Sequence, residues 1–291
     1  MDFSKVTNIE YVNQGHLGCP GCGATMSMRH AIKVLGDNTV IVMPASCWSI
    51  IAGGLPTTAL QVPLMHVPFA VAAACASGVS EAYSYKGRDD INVVVWAGDG
   101  GTFDIGLQAL SGAAERKEDF IYVCYDNEAY MNTGIQRSSA TPAGAWTTTT
   151  PAGKEIDFEK KDIFAIVAAH NPAYVATSSI AYPDDFYNKF KKASKIKGFR
   201  FIHLLSSCVP GWKIDSSDSI KVMRKAVESG IFILMEKVGE NDIEITYKPD
   251  EFIPVKEYFQ NQGRYRGLSE EKLEIIQDRI NQRLKKFNLK N

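Results

Sequence analysis

Two short stretches carry the chemistry this sequence offers most plainly: Gly98-Asp99-Gly100-Gly101, and Asp126-Asn127-Glu128-Ala129-Tyr130-Met131-Asn132. Together they supply oxygen ligands for a divalent metal and a glycine turn for a phosphate. Magnesium takes about six oxygens in a near-octahedral array. The Asp99 carboxylate, the Asn127 amide oxygen and a loop carbonyl at Ala129 would leave room in that array for two diphosphate oxygens and a water. The elements that must position them are two apolar runs of strand length, Ile91 to Ala97 and Phe120 to Tyr125. Such continuous runs are expected of parallel strands buried on both faces. Each delivers its polar residues to a strand's carboxyl end, where an open parallel sheet has its ligand crevice. There a backbone without Cβ can approach a phosphate, and the next helix offers free N–H groups to an anion.

Gly-Asp-Gly by itself also describes an ordinary tight turn. Its placement after one buried strand, with Asp126-Asn127 after another and Tyr130-Met131-Asn132-Thr133-Gly134 beyond, resembles the signature of thiamine-diphosphate enzymes. That signature usually ends in Asn-Asn. Here the first position is Asp126, which leaves Asn127 as the metal ligand. On this reading Gly98, Asp99, Gly100, Gly101, Asn127, Glu128, Ala129, Tyr130, Asn132 and Cys47 border the cofactor.

The cysteines form a second constellation: Cys19-Pro20-Gly21-Cys22, then Cys47 before Trp48, then Cys208 ahead of Val209-Pro210-Gly211-Trp212. All four lie in loop-like sequence. A Cys-x-x-Cys pair can hold one corner of an iron-sulfur cluster, with the other irons taken by cysteines from elsewhere in the fold. A structural zinc site, a thioredoxin-like dithiol and a disulfide framework compete with that reading. A dithiol leaves Cys47 and Cys208 unexplained, and a disulfide framework is out of place in a chain this long without a secretory signal. Cys75 and Cys124 sit inside apolar runs and read as small core residues.

These motifs resemble the thiamine-diphosphate-binding beta subunit of the 2-oxoacid:ferredoxin oxidoreductases, most closely the pyruvate branch. The similarity runs from Gly18-Cys19-Pro20-Gly21-Cys22-Gly23 through Ser139-Ala140-Thr141-Pro142 to Cys208. The resemblance implies that Cys19, Cys22, Cys47 and Cys208 ligate a [4Fe-4S] cluster. It makes Asp99, Asn127 and the Ala129 carbonyl magnesium ligands, and puts the catalytic Asn132 beside the reacting thiazolium. Some members carry a carboxylate two residues after the second cysteine, where this chain has Ala24. The implied activity is decarboxylation of a 2-oxoacid on thiamine diphosphate, with electrons passing to ferredoxin and the acyl group to coenzyme A, or the reverse. The implied partners are alpha, gamma and ferredoxin-like delta subunits, the alpha subunit supplying both the glutamate beside the cofactor pyrimidine and most substrate contacts. If an acid for that role lay in this chain, Glu81, Asp104 and Glu128 would be its candidates. Branched-chain oxoacids, 2-oxoglutarate and oxalate remain open as substrates. So does a non-oxidative thiamine-dependent decarboxylase or carboligase, which would have no use for four cluster ligands.

The 291 residues carry 32 Lys and Arg against 33 Asp and Glu, a formal charge of -1, with no basic cluster to attract nucleic acid. No apolar stretch approaches the 18 or so residues that would span a membrane, and Met1-Asp2-Phe3-Ser4-Lys5 lacks a signal-peptide core. A cytoplasmic protein is expected. Strands and helices alternate: strands over 39–43, 92–97, 120–125, 173–177 and 199–205, helices over 69–85, 105–116, 161–170 and 184–196. That pattern predicts an α/β fold with a doubly wound, mostly parallel sheet over 1–250 and a helical tail over 251–291. The long loop after Asn127 is of a kind that is commonly functional. Thr147 to Thr150 reads as a polar loop, His30, His170 and His203 as structural, and His66 either as structural or as reaching the cofactor. Trp48 and Trp212 are expected to shield the cluster from water.

Overall fold

The computed structural model describes residues 7–151 and 159–290. The region 127–154 expected as one long loop therefore lies partly outside the described residues. The apolar runs become the centre of an eight-stranded sheet, in the order β2 (Leu64–Val67), β1 (Thr39–Pro44), β3 (Asn92–Gly98), β4 (Ile121–Asp126), β6 (Arg200–Leu205), β5 (Tyr174–Ser179), β7 (Leu234–Val238), β8 (Glu244–Tyr247). The first six strands run parallel, and β7 and β8 are added antiparallel. Every residue of β1, β4, β5 and β6 is buried, so both faces of the sheet are covered. Helices α3 (Ala72–Tyr85) and α4 (Leu107–Glu115) pack on each other, and α1 (Gly23–Leu35) packs on α6 (Pro183–Lys195), which lies against β5. The remaining helices are α2 (Cys47–Ala52), α5 (Ile163–Ala168), α7 (Val209–Trp212), α8 (Ser219–Glu228), α9 (Val255–Phe259) and α10 (Glu270–Lys286). None among the described residues is long and apolar enough to cross a membrane.

The expected strands and helices are present, with ends that coincide or shift by up to three residues. The helix expected over 105–116 is preceded by a π-helical turn, Gly100–Asp104, and begins at Leu107. Gly106 makes the junction possible, because a Cβ there would lie 2.1 Å from the Gly101 carbonyl oxygen. One expectation is corrected. Of the four cysteines expected in loops, Cys47 is instead the first residue of α2, while Cys22 and Cys208 are the extended loop residues just ahead of α1 and α7. The tail carries α9 and α10, and Ile280 and Leu284 of α10 are buried against the rest of the chain.

Candidate functional site

Strands β3 and β4 are hydrogen-bonded in register, with Ala97 beside Cys124 and Gly98 beside Tyr125, so Asp99 and Asn127 emerge together at the carboxyl edge of the sheet. They border a cavity of about 180 Å³ whose wall includes Cys47, Gly98, Gly100, Gly101, Ala129, Tyr130 and Asn132. Of the residues expected to border the cofactor, Glu128 does not line it. Its carboxylate turns inward to Lys160, 2.9 Å away. His66 does not line it either: it is exposed on the edge strand β2, its Nε2 3.3 Å from the Gly53 carbonyl oxygen.

The donor set has an unusual feature at its centre. The Asn127 side-chain amide ends 2.9 Å from Asp99 Oδ1 and 2.9 Å from the Ala129 carbonyl oxygen. With its nitrogen turned there it donates to both. With its oxygen turned there, three oxygens converge with no proton between them, an arrangement suited to a hard cation. The other Asp99 oxygen accepts from Ser138 Oγ at 2.5 Å, which fixes the carboxylate. Burial, then the neighbouring Asp126 charge, push the Asp99 carboxyl well above its ordinary value, against the Ser138 bond. A divalent ion at this point would supply the countercharge that Asp99 lacks. The residues present therefore fit a magnesium-held diphosphate.

Asp126, the departure from Asn-Asn, has its own explanation. It is fully buried, yet its Oδ2 lies 2.9 Å from Lys160 Nζ and 2.8 Å from His203 Nε2, while its Oδ1 accepts from the Glu128 N–H at 2.9 Å. Burial works to raise its pKa, but Lys160 and His203 outweigh burial and hold it ionised. An aspartate is tolerated here because the fold provides two cationic or donor partners, and it caps the turn that carries Asn127 and Ala129.

The cysteines occupy the adjoining ground. Cys19-Pro20-Gly21-Cys22 closes a turn in which the Cys22 N–H donates to the Cys19 carbonyl at 3.0 Å, with Gly21 in the left-handed region at φ +74. The Gly23 N–H donates to the Ser207 carbonyl at 3.0 Å, tying that turn to the segment before Cys208; a Cβ on Gly23 would lie 2.6 Å from the Ser207 nitrogen. Burial pushes Cys47 up to about 12, and Cys22, Asp99 and Cys19 push the same way. Burial also pushes Cys208 up to about 12, against the Gly211 N–H, with Cys47, Cys22 and Cys19 adding to the rise. All four thiols thus share one electrostatic neighbourhood, next to Asp99. Cys75 and Cys124 lie apart from them, on α3 and β4, and Cys124 is wholly buried. No three His, Cys, Asp or Glu side chains among the described residues are placed to hold one ion. Neither candidate centre is of that kind. The first has a single carboxylate, and in a multi-iron cluster each thiolate takes its own iron. Four thiols grouped beside one another, Cys19 exposed and Cys22, Cys47 and Cys208 half-buried, fit such a cluster.

The two tryptophans are wholly buried, and each also braces the site. Trp48 Nε1–H donates to the Ala24 carbonyl at 3.2 Å, and Trp212 Nε1–H to the Asn127 carbonyl at 2.8 Å. Met131 joins the two centres. It lines the cavity and packs on Gly211, where a Cβ would lie 2.2 Å from Met131 Sδ and 3.2 Å from Cys208 Sγ.

Sequence reasoning missed Ser138, Lys160 and the threonines. Thr148 donates to the Gly134 carbonyl at 2.7 Å and the Ile135 carbonyl at 3.0 Å, and Thr149 Oγ1 accepts from the Arg137 N–H at 2.9 Å. The run therefore holds the Met131–Gln136 turn, in which β-branched Ile135 is kept at φ +59. Its only signal was four β-branched hydroxyls in a row. Among the acidic candidates, Asp104 accepts from the Tyr130 hydroxyl at 2.9 Å, Glu81 is exposed on α3, and none of the three lines the cavity.

Residues 45–204 match the family model described as thiamine pyrophosphate enzyme, C-terminal TPP binding domain. The chain is 52% identical over 279 residues to the pyruvate synthase subunit PorB of Methanothermobacter thermautotrophicus, covering 95% of this chain and 96% of that protein. It is 47% identical over 277 residues to the ketoisovalerate oxidoreductase subunit VorB of Pyrococcus furiosus, covering 92% and 89%. In fold it is similar to a solved 2-oxoglutarate:ferredoxin oxidoreductase from Magnetococcus marinus, with TM-score 0.60 at 20% identity, covering 94% of this chain and 97% of that one. The chain belongs to the family of thiamine-diphosphate-binding beta subunits of the 2-oxoacid:ferredoxin oxidoreductases.

Proposed function

We propose that this subunit serves an enzyme that decarboxylates pyruvate, sends the electrons through a [4Fe-4S] cluster to ferredoxin and forms acetyl-CoA, or runs that reaction backwards. The observation that carries the reading is the convergence of Asp99 Oδ1, the Asn127 amide and the Ala129 carbonyl in a cavity that Cys47 also lines. Those three residues hold Mg2+. Gly98, Gly100 and Gly101 let the diphosphate come close to the backbone, and Ser138 keeps Asp99 turned toward the metal. Cys19, Cys22, Cys47 and Cys208 ligate the cluster, while Trp48 and Trp212 exclude water and fix the segments that carry the ligands. When bound, thiamine diphosphate supplies the electron sink for loss of carbon dioxide, and the cluster takes up electrons one at a time. Asn132 and Tyr130 line the same cavity, and Asn132 is the residue that would stand beside the reacting thiazolium. Asp99 is the single acidic side chain lining the cavity among the described residues. The resemblance to the family assigns the carboxylate that faces the cofactor pyrimidine to a partner alpha subunit, with gamma and ferredoxin-like delta subunits completing a cytoplasmic complex.

The similarity to proteins named pyruvate synthase subunits supports pyruvate, and the similarity to a ketoisovalerate oxidoreductase subunit makes branched-chain oxoacids the first comparison. The test is anaerobic reduction of a viologen dye by the assembled complex with coenzyme A and a panel of 2-oxoacids. Pyruvate should give the highest kcat/KM; a higher value with 2-oxoisovalerate would reassign the substrate.

A further inference from the structure

We propose that Arg264, from the C-terminal segment, is a positioning residue for the metal-holding turn and for the Cys208 turn at once. The inference rests on reading Asp99, Asn127 and Ala129 as magnesium ligands. Between the last two stands Glu128, a non-glycine residue in the left-handed region at φ +71. That conformation costs free energy and persists only where its surroundings over-determine it. It also decides the metal site, because it sets where the Asn127 amide and the Ala129 carbonyl stand relative to each other.

Glu128 is held on three sides. Its N–H donates to Asp126, its carbonyl accepts from Thr141 Oγ1 at 2.7 Å, and its carboxylate is shared by two cations. Lys160 takes Oε1 at 2.9 Å, and Arg264 takes Oε2 at 2.7 Å with both partners only 2% exposed. Arg264 differs from Lys160 in what else it touches. Its guanidinium lies 4.2 Å from the ring centroid of Trp212, a cation–π contact. That indole donates to the Asn127 carbonyl, and the Trp212 N–H donates to the Cys208 carbonyl at 2.8 Å. Arg264 therefore bears on the metal turn twice, through Glu128 and through Trp212, and on the Cys208 turn once. Its own orientation is fixed by Gln262 Oε1 at 2.9 Å and the Tyr258 hydroxyl at 3.1 Å. A planar fork reaching one carboxylate while stacking on an indole is a task lysine cannot copy.

The test is calorimetric titration of thiamine diphosphate with Mg2+ into the full chain, purified anaerobically, as wild type, Arg264→Gln and Arg264→Lys, with melting temperatures recorded alongside. Outer contacts of metal ligands are worth about 10- to 100-fold in affinity. The folded Arg264→Gln chain should lose about that factor, and Arg264→Lys, which keeps the charge on Glu128 but not the stack on Trp212, should fall between it and wild type. If the glutamine variant does not fold, the lysine variant decides, and it must still bind more weakly than wild type. Unchanged cofactor affinity in the variants that fold overturns the proposal even if the melting temperature drops, since that would make Arg264 a stability residue alone. A wild-type chain that binds no cofactor with Mg2+ would instead overturn the metal-site reading beneath it.

Discussion

Adding one methyl group at Gly100 should disable the cofactor cavity. A Cβ there would sit 2.3 Å from Tyr130 Cε1, 2.5 Å from Cδ1 and 2.7 Å from Cζ. An aromatic ring cannot yield by flexing, so the whole side chain must swing, and its hydroxyl then leaves Asp104 Oδ2, 2.9 Å away. Overpacking of this kind costs about 1–3 kcal/mol, and the lost hydrogen bond about 1 kcal/mol. The total, about 2–4 kcal/mol, has two places to appear. If the ring stays, the folded state is strained and the urea midpoint falls at unchanged slope. If the ring moves, it intrudes on the cavity it lines, and cofactor binding must push it back against the clash. Since about 1.4 kcal/mol is tenfold in affinity, Gly100→Ala should lose at least tenfold in thiamine diphosphate affinity, or an equivalent stability, measured by calorimetry and urea unfolding on one preparation. Gly78→Ala is the control. Nothing lies within 4 Å of its Cβ position on α3, so it should be neutral or gain about 0.5–1 kcal/mol as a helical Gly→Ala change. Adding Tyr130→Ala to Gly100→Ala should cost no more than Tyr130→Ala alone, because the clash has gone. Wild-type midpoint and wild-type affinity in Gly100→Ala would refute the packing argument.

Serine at Cys19, Cys22, Cys47 or Cys208 should deplete iron from anaerobically purified protein, because a hard oxygen replaces a soft thiolate at iron; the same change at Cys75 or Cys124 should leave iron per folded chain intact, by colorimetric assay. Hydrogen bonds from Arg29 and Lys33 hold Glu10 down at about 2 from 4.5, against burial. A depressed carboxyl contributes stability that is complete above its unfolded value and lost as pH falls, here from about 4.5 to 2. The pair is well exposed, so solvent screening limits the effect to less than about 1 kcal/mol. Glu10→Gln should thus shift the urea midpoint slightly at pH 7 and hardly at all at pH 2.

The parts of the fold written in continuous apolar runs were legible because β3 and β4 are buried on both faces and have little other reason for their composition. The additions were not. β2 is four residues between Pro63 and Pro68 with Met65 and His66 exposed, so no apolar run marks it. In β7, buried Glu236 breaks the apolar pattern and is satisfied only by groups distant in sequence, the Tyr174 hydroxyl at 2.6 Å and Lys192. The residues proposed as ligands could be singled out from their types and spacing. Their supports were not, because Lys160, Ser138, Thr148 and Arg264 reach the turn through tertiary contacts that no local pattern encodes. That Glu128 does not line the cavity was hidden for the same reason: adjacency to Asn127 in sequence does not reveal that a left-handed backbone turns its carboxylate toward Lys160 and Arg264.

The central claim is that this chain carries the cofactor-anchoring half of an oxidoreductase site which a partner must complete. The most direct measurement is 2-oxoacid-dependent viologen reduction under anaerobic conditions, with the cofactor- and iron-replete chain first alone and then with its partner subunits. The chain alone should run slower by a factor of about 10² to 10⁴, the worth of one general acid-base group, and the partners should restore turnover. Near-full activity from the isolated chain would contradict the account and require an acid within it that reaches the cavity.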